Sequence, residues 1–198
     1  MPDSASLPKL VLLLAFALVL LYSPAPAQYK TMMFERLSVE QGMPTNVTCI
    51  LQDRSGYLWF GTYYGLYRHD GYGFVSHRHD VNDTSSIRDN AVTTLYEDRS
   101  GVLWAGSKLG LDRYDGAKGT FRHHTPNPSR SGEDRSNTVL AICEDHHGTF
   151  WVGTASGLHQ LDRATGTFTS LPYDSTDPGS ISHNVVNAIY EDKNGSLW

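Results

Sequence analysis

A tryptophan-centred unit recurs along this chain, and no other feature limits its fold so tightly. One copy is DRSGVLWAGSKLGLDRYD at residues 98–115; its relatives are DRSGYLWFGTYYGLYRHD at 53–70 and DHHGTFWVGTASGLHQLD at 145–162. A fourth, DKNGSLW, occupies 192–198. The chain's four tryptophans, Trp59, Trp104, Trp151 and Trp198, hold one place in the unit and recur 45, 47 and 47 residues apart. A fixed period in that range means stacked supersecondary units rather than one irregular globule.

Each unit reads as four short strands. A first strand such as Val92-Thr93-Thr94-Leu95-Tyr96 alternates in polarity, whereas Val139-Leu140-Ala141-Ile142-Cys143 is apolar throughout, as a strand covered on both faces would be. Asp-x-x-Gly follows in every copy: Asp53/Gly56, Asp98/Gly101, Asp145/Gly148 and Asp192/Gly195. Asp favours the first position of a type I turn and Gly the fourth, so these pairs predict hairpin corners, not acid–base chemistry. The second strand carries Trp and then Gly61, Gly106 or Gly153. A large ring beside a residue without a side chain predicts the seam where a neighbouring backbone or ring approaches. Further Gly-bearing turns lead to a third strand and to a fourth that starts at Phe74, Phe121 or Phe168.

Four antiparallel strands in about 45 residues make the blade of a β-propeller, so the predicted class is all-β. The predicted blades span about 45–78, 90–125 and 137–172, with a truncated one at 184–198. The short strand 34–37 is expected to complete a final blade and close the ring. Three complete blades are fewer than the 4–8 that typically close a propeller, so the expectation is part of a longer receptor. Residues 1–27 predict a secretory signal peptide: Lys9, thirteen mostly apolar residues at 10–22, and Ala25-Pro26-Ala27 as a cleavage site. Cys49 and Cys143 fall two units apart, too far for a disulfide, and read as separate buried thiols.

The repeated D-x-x-G-x-L-W-x-G-T…G-L-x-R-x-D followed by Phe resembles the two-component regulator propeller repeat, and FERLSVEQGMPTNVTCILQD resembles the opening of that family's sensor domains. The resemblance covers residues 34–198. Departures are Ala105 and Ser107 for the usual Ile and Thr, Phe150 for Leu, and Gln160-Leu161 for Arg-Tyr. The resemblance implies the periplasmic sensor region of a bacterial receptor, anchored in the inner membrane. Its cytoplasmic output would be a histidine kinase or a diguanylate cyclase. It implies recognition of an oligosaccharide or other small ligand, without turnover.

The rival classes are an exported interaction scaffold and a carbohydrate-active propeller enzyme. An enzyme needs acid–base residues peculiar to one blade and converging on one face; none stands out. The formal net charge of -5 and the lack of a Lys/Arg run argue against nucleic acid. No cofactor is expected. Adjacent histidines 123–124 and 146–147 would point oppositely on a strand, so no metal site is expected either. The predicted binding face gathers the turns between second and third strands with the loops between blades. There Tyr63 and Tyr64 offer stacking surface, and Arg88 and Lys108 offer donors. Expected partners are the ligand, the downstream membrane and kinase segments and a second copy of the chain.

Overall fold

Twelve strands form three sheets of four in the computed structural model, which describes residues 39–129 and 135–198. After a single 3-10 turn at Val39–Gln41, the first sheet is β1 (Val47–Gln52), β2 (Leu58–Thr62), β3 (Gly65–His69) and β4 (Phe74–His77). The second is β5 (Val92–Glu97), β6 (Leu103–Ser107), β7 (Gly110–Asp115) and β8 (Thr120–His124). The third is β9 (Val139–Glu144), β10 (Phe150–Thr154), β11 (Gly157–Asp162) and β12 (Thr167–Leu171). Strands pair in sequence order, antiparallel throughout, which is the meander of a propeller blade. Among the described residues no helix is long and apolar enough to cross a membrane. The leader at 1–27 and the strand at 34–37 lie outside the described residues.

The corner of each hairpin forms as its residues dictate. Gly101 N–H donates to Asp98 O at 2.9 Å, and Gly101 takes φ 82°, a left-handed conformation that suits glycine. Asp98 Oδ1 accepts from the N–H groups of Ser100 and Val102, each at 3.0 Å. The other oxygen does something the turn alone does not require. Asp98 Oδ2 accepts the indole N–H of Trp104 at 2.9 Å, and the same bond joins Asp53 to Trp59, Asp145 to Trp151 and Asp192 to Trp198. A buried indole such as that of Trp59 or Trp104 needs an acceptor, and the turn Asp supplies it.

Packing runs from sheet to sheet. Trp59 meets Tyr114 of the second blade edge-on at 5.1 Å, and Trp104 meets Phe150 of the third at 4.8 Å. One core joins Trp59 and Leu66 to Val92, Leu103, Ala105 and Phe121; a second joins Trp104 and Leu111 to Val139, Phe150, Val152 and Leu161. The seam glycines face side chains, and at Gly153 the expected neighbouring backbone as well, where a Cβ would stand 2.7 Å from Val186 Cγ1 and 2.9 Å from Val186 O. A Cβ at Gly106 would stand 2.6 Å from Thr94 Cγ2 and 2.7 Å from Val139 Cγ1. The innermost valine of the next blade therefore fills the notch.

A polar latch repeats beside this seam. Glu97 accepts the N–H of Arg54 at 3.0 Å, and Glu144 accepts the N–H of Arg99 at 2.8 Å. Glu191 accepts the N–H of His146 in the same way. Arg163 reaches across one junction to Asp98 at 3.1 Å and pairs with Glu144 of its own blade at 2.8 Å. This explains the burial patterns: β9, between two neighbours, is buried on both faces, whereas β1 alternates half-buried and exposed.

Two expectations need correction. Cys49 and Cys143 are free, but each is half-buried rather than buried. Residues 186–190, the first strand expected of the fourth unit, form no regular strand; the unit shows a bridge between Glu191 and Leu197 and paired backbone bonds between Tyr190 and Trp198, whose ring is exposed. Gly56 serves the hairpin corner, as expected, and takes no part in the packing. It is exposed, and a Cβ there would meet nothing within 4 Å. Its place in the motif comes from the turn alone: its N–H donates to Asp53 O at 2.9 Å, and its φ is 91°.

A candidate ligand-binding face

Opposite the Asp-x-x-Gly corners, each blade presents the turn between its second and third strands. A hydroxyl locks that turn from inside. Thr62 Oγ1 donates to Gly65 O at 2.8 Å and accepts the N–H of Tyr64 at 2.9 Å. Ser107 and Thr154 repeat the bond, to Gly110 O at 3.1 Å and Gly157 O at 3.0 Å. Ser107 thus keeps the hydroxyl that the geometry needs, although it departs from the repeat's usual Thr. All three hydroxyl residues are buried; of the two residues after each, Tyr63, Tyr64 and Lys108 are exposed, and Leu109, Ala155 and Ser156 are half-buried.

The loops between blades join these turns on the same face. An Asn braces each loop across its mouth: Asn90 accepts the N–H of His79 at 2.9 Å, Asn137 that of Asn127 at 2.7 Å, and Asn184 that of Tyr173 at 2.8 Å. Backbone bonds then tie loop to turn, from Gly65 N–H to Asn90 O at 2.8 Å and from Ala155 N–H to Thr138 O at 3.1 Å. Loop and turn form one continuous surface, held by backbone and polar groups that the sequence repeats.

The four residues singled out for binding stand differently on it. Tyr63 and Tyr64 are each 56% exposed, and Lys108 is exposed. Arg88 is half-buried and engaged internally: its N–H donates to Asp112 Oδ2 at 3.0 Å and its guanidinium to Thr125 Oγ1 and Leu109 O. It braces the face more than it offers a donor to a ligand. Asp112 itself is fully buried and pairs with His123 at 2.6 Å. Residue spacing gives no hint of that group, which only strand register assembles.

Several histidines are structural neighbours of aromatic rings or carboxylates. His77 stacks on Trp59 at 5.9 Å, and burial, then the charge of Arg68, lowers its pKa. His124 is buried beside Trp104, and burial lowers its pKa to about 4. His146 and His147 lie on a turn, not a strand, so their rings do not diverge as expected but sit 3.6 Å apart. His146 instead bonds Glu191. Among the described residues no group of three His, Cys, Asp or Glu is arranged to hold a metal ion.

Comparisons with known proteins agree with this geometry. The profile described as Two component regulator propeller matches residues 41–64, 86–108, 134–156 and 180–198. No curated protein matches the chain. A similar crystal structure is the extracellular domain of BT3049 from B. thetaiotaomicron, described as a hybrid two component system. It has 28% identity and a TM-score of 0.68 over 82% of this chain and 23% of that one. The extracellular domain of BT4673 from the same organism, described as a one component system, has 23% identity and a TM-score of 0.65 over 80% of this chain and 21% of that one. Virginiamycin B lyase from Staphylococcus aureus shares the fold alone, with 16% identity and a TM-score of 0.55 over 77% of this chain and 47% of that one. The chain spans under a quarter of these two extracellular domains.

Proposed function

Because this chain belongs to the two-component regulator propeller family, we propose that it is the extracytoplasmic ligand-sensing region of a bacterial two-component receptor. The observation that carries the reading is the match of the propeller repeat along all four units, together with 28% identity to the extracellular domain of a hybrid two component system. The ligand is an oligosaccharide or another small molecule, taken on the face of exposed Tyr63, Tyr64 and Lys108. Aromatic faces stack on sugar rings while a cationic donor meets hydroxyl or carboxylate oxygens. Occupancy is passed to a membrane-spanning segment and a cytoplasmic histidine kinase or diguanylate cyclase. The chemistry is recognition, and the protein lies in the periplasm.

The test is direct binding. The intact protein is titrated calorimetrically with a panel of oligosaccharides, and fusions to a phosphatase active only outside the cytoplasm report its location. Saturable binding without glycan turnover, from an exported protein, supports the reading. Cleavage of the glycan, or a cytoplasmic location, overturns it.

A further inference from the structure

The second blade departs from its neighbours at one cross-strand pair. In the first blade Tyr67 faces Ser76, and in the third His159 faces Ser170. In the second, Asp112 faces His123. Asp112 is fully buried, and His123 keeps a quarter of its side chain exposed.

The two ring nitrogens of His123 have different partners. Nδ1 meets Asp112 Oδ1 at 2.6 Å, and Nε2 meets the backbone carbonyl of Thr84 at 2.9 Å. Thr84 belongs to the loop at residues 79–90, between the first and second blades. A carbonyl only accepts, so Nε2 must carry a proton. The Asp112–Nδ1 contact needs a second proton, whichever of the two groups holds it. The couple makes both bonds only while it carries two protons. With one, either Nε2 presents its lone pair to a carbonyl oxygen, or the buried contact to Asp112 is lost.

The same loop is fastened around this point. Phe121 N–H donates to Ser85 O at 2.8 Å, and Arg88 N–H donates to Asp112 Oδ2 at 3.0 Å. Its far end holds the Tyr63-Tyr64 turn through Gly65 N–H and Asn90 O. The charged groups facing His123 are Asp112 from β7 and Arg88 from the loop; Arg122 and His124 flank it on β8. The hydrogen bond to Asp112 leads in raising the imidazole's pKa, and burial and Arg88 oppose it.

We infer that Asp112 and His123 form a proton-operated latch: the doubly protonated couple holds the 79–90 loop against the second blade, and loss of one proton frees it. The latch sets the shape of the face beside Tyr63 and Tyr64, and in that consequence it rests on the reading of this face as ligand-binding. The loop at 173–184 is braced by Asn184 in the same way, and among the described residues no Asp–His couple bonds it. It is an internal control.

The test is hydrogen–deuterium exchange of the intact protein without ligand, at about pH 6 and about pH 9, with intrinsic rates divided out. The readouts are the amides of Arg88 and Phe121, referred to those at 173–184. Their protection is expected to fall about tenfold at the higher pH, the order contributed by a hydrogen bond to a charged group. His123→Gln alone strands a buried carboxylate, so the variant is Asp112→Asn with His123→Gln. In it the ratio no longer changes with pH. An unchanged ratio in the unsubstituted protein overturns the latch, as does a pH effect that survives in the double variant. Neither result touches the sensor reading, because no ligand is present.

Discussion

Asp98 and Trp104 stand six residues apart and are joined by a hydrogen bond of 2.9 Å from the indole to the carboxylate. The bond connects two devices that look independent in sequence, a turn and a packing ring. Asp98 closes the hairpin through its other oxygen while it satisfies the only polar atom of a ring packed on the next blade.

Asp98→Ala removes the turn's acceptor and leaves a buried indole N–H unpaired. The expected loss is about 2–4 kcal/mol in the intact protein. Trp104→Phe removes the orphan together with part of the packing, so the double variant is expected to lose less than the two single losses added. Urea denaturation of all three variants checks this; strictly additive losses would count against the coupling.

Gly106→Ala drives a methyl into Thr94 and Val139 across the seam. Overpacking of this kind costs about 1–3 kcal/mol. Gly73 has nothing within 4 Å of its Cβ position, so Gly73→Ala is expected to stay within about 0.5 kcal/mol of the parent. Thermal unfolding distinguishes the pair, and equal shifts would refute the notch.

Glu144 accepts from Arg99 N–H and from Arg163, which also reaches Asp98. Glu144→Ala leaves a half-buried cation and an amide partly unsatisfied, at an expected cost of about 2 kcal/mol. A double-mutant cycle with Arg163→Ala should return a coupling of about 1 kcal/mol. No coupling would mean that the two side chains act separately.

His124 links stability to acid. Burial, with the charge of Arg122 next, lowers its pKa to about 4, against an ordinary value of about 6.5. Above about pH 6.5 the ring is neutral folded and unfolded, and its contribution is fully present. As pH falls, the unfolded chain binds the proton first, so stability declines down to about pH 4. His77 and His159, also lowered by burial, act in the same sense. His123 acts oppositely: its raised pKa gives stability present below the ordinary value and lost as pH rises through the folded one. Urea midpoints between about pH 7 and about pH 4 should fall, and His124→Gln should flatten that slope. Identical slopes would rule His124 out as a source.

Tyr63→Ala with Tyr64→Ala trims exposed rings, so unfolding is expected to move by less than about 0.5 kcal/mol. Ligand affinity, by contrast, should fall by about tenfold or more, the effect of losing stacked aromatic anchors. Calorimetry on the substituted protein gives the answer; unaltered affinity would remove both tyrosines from the site.

Much of the blade is local and so could be read directly. Alternating strands, the Asp-x-x-Gly corners and the Trp-Gly seam depend on residues a few positions apart, and hydrogen-bond geometry then allows little else. The recurrence of Trp at one place in every unit also implied that each sheet buries its flank on the next. Contacts between blades were not legible. Which residue meets Gly106, which N–H Glu144 accepts, that Arg88 is drawn inward, and that Asp112 finds His123 all depend on the offset between neighbouring sheets and on strand register. A repeat specifies the sheet; only the packing of one sheet on another decides which of its polar side chains are spent on structure and which, like Tyr63 and Tyr64, stay free in solvent.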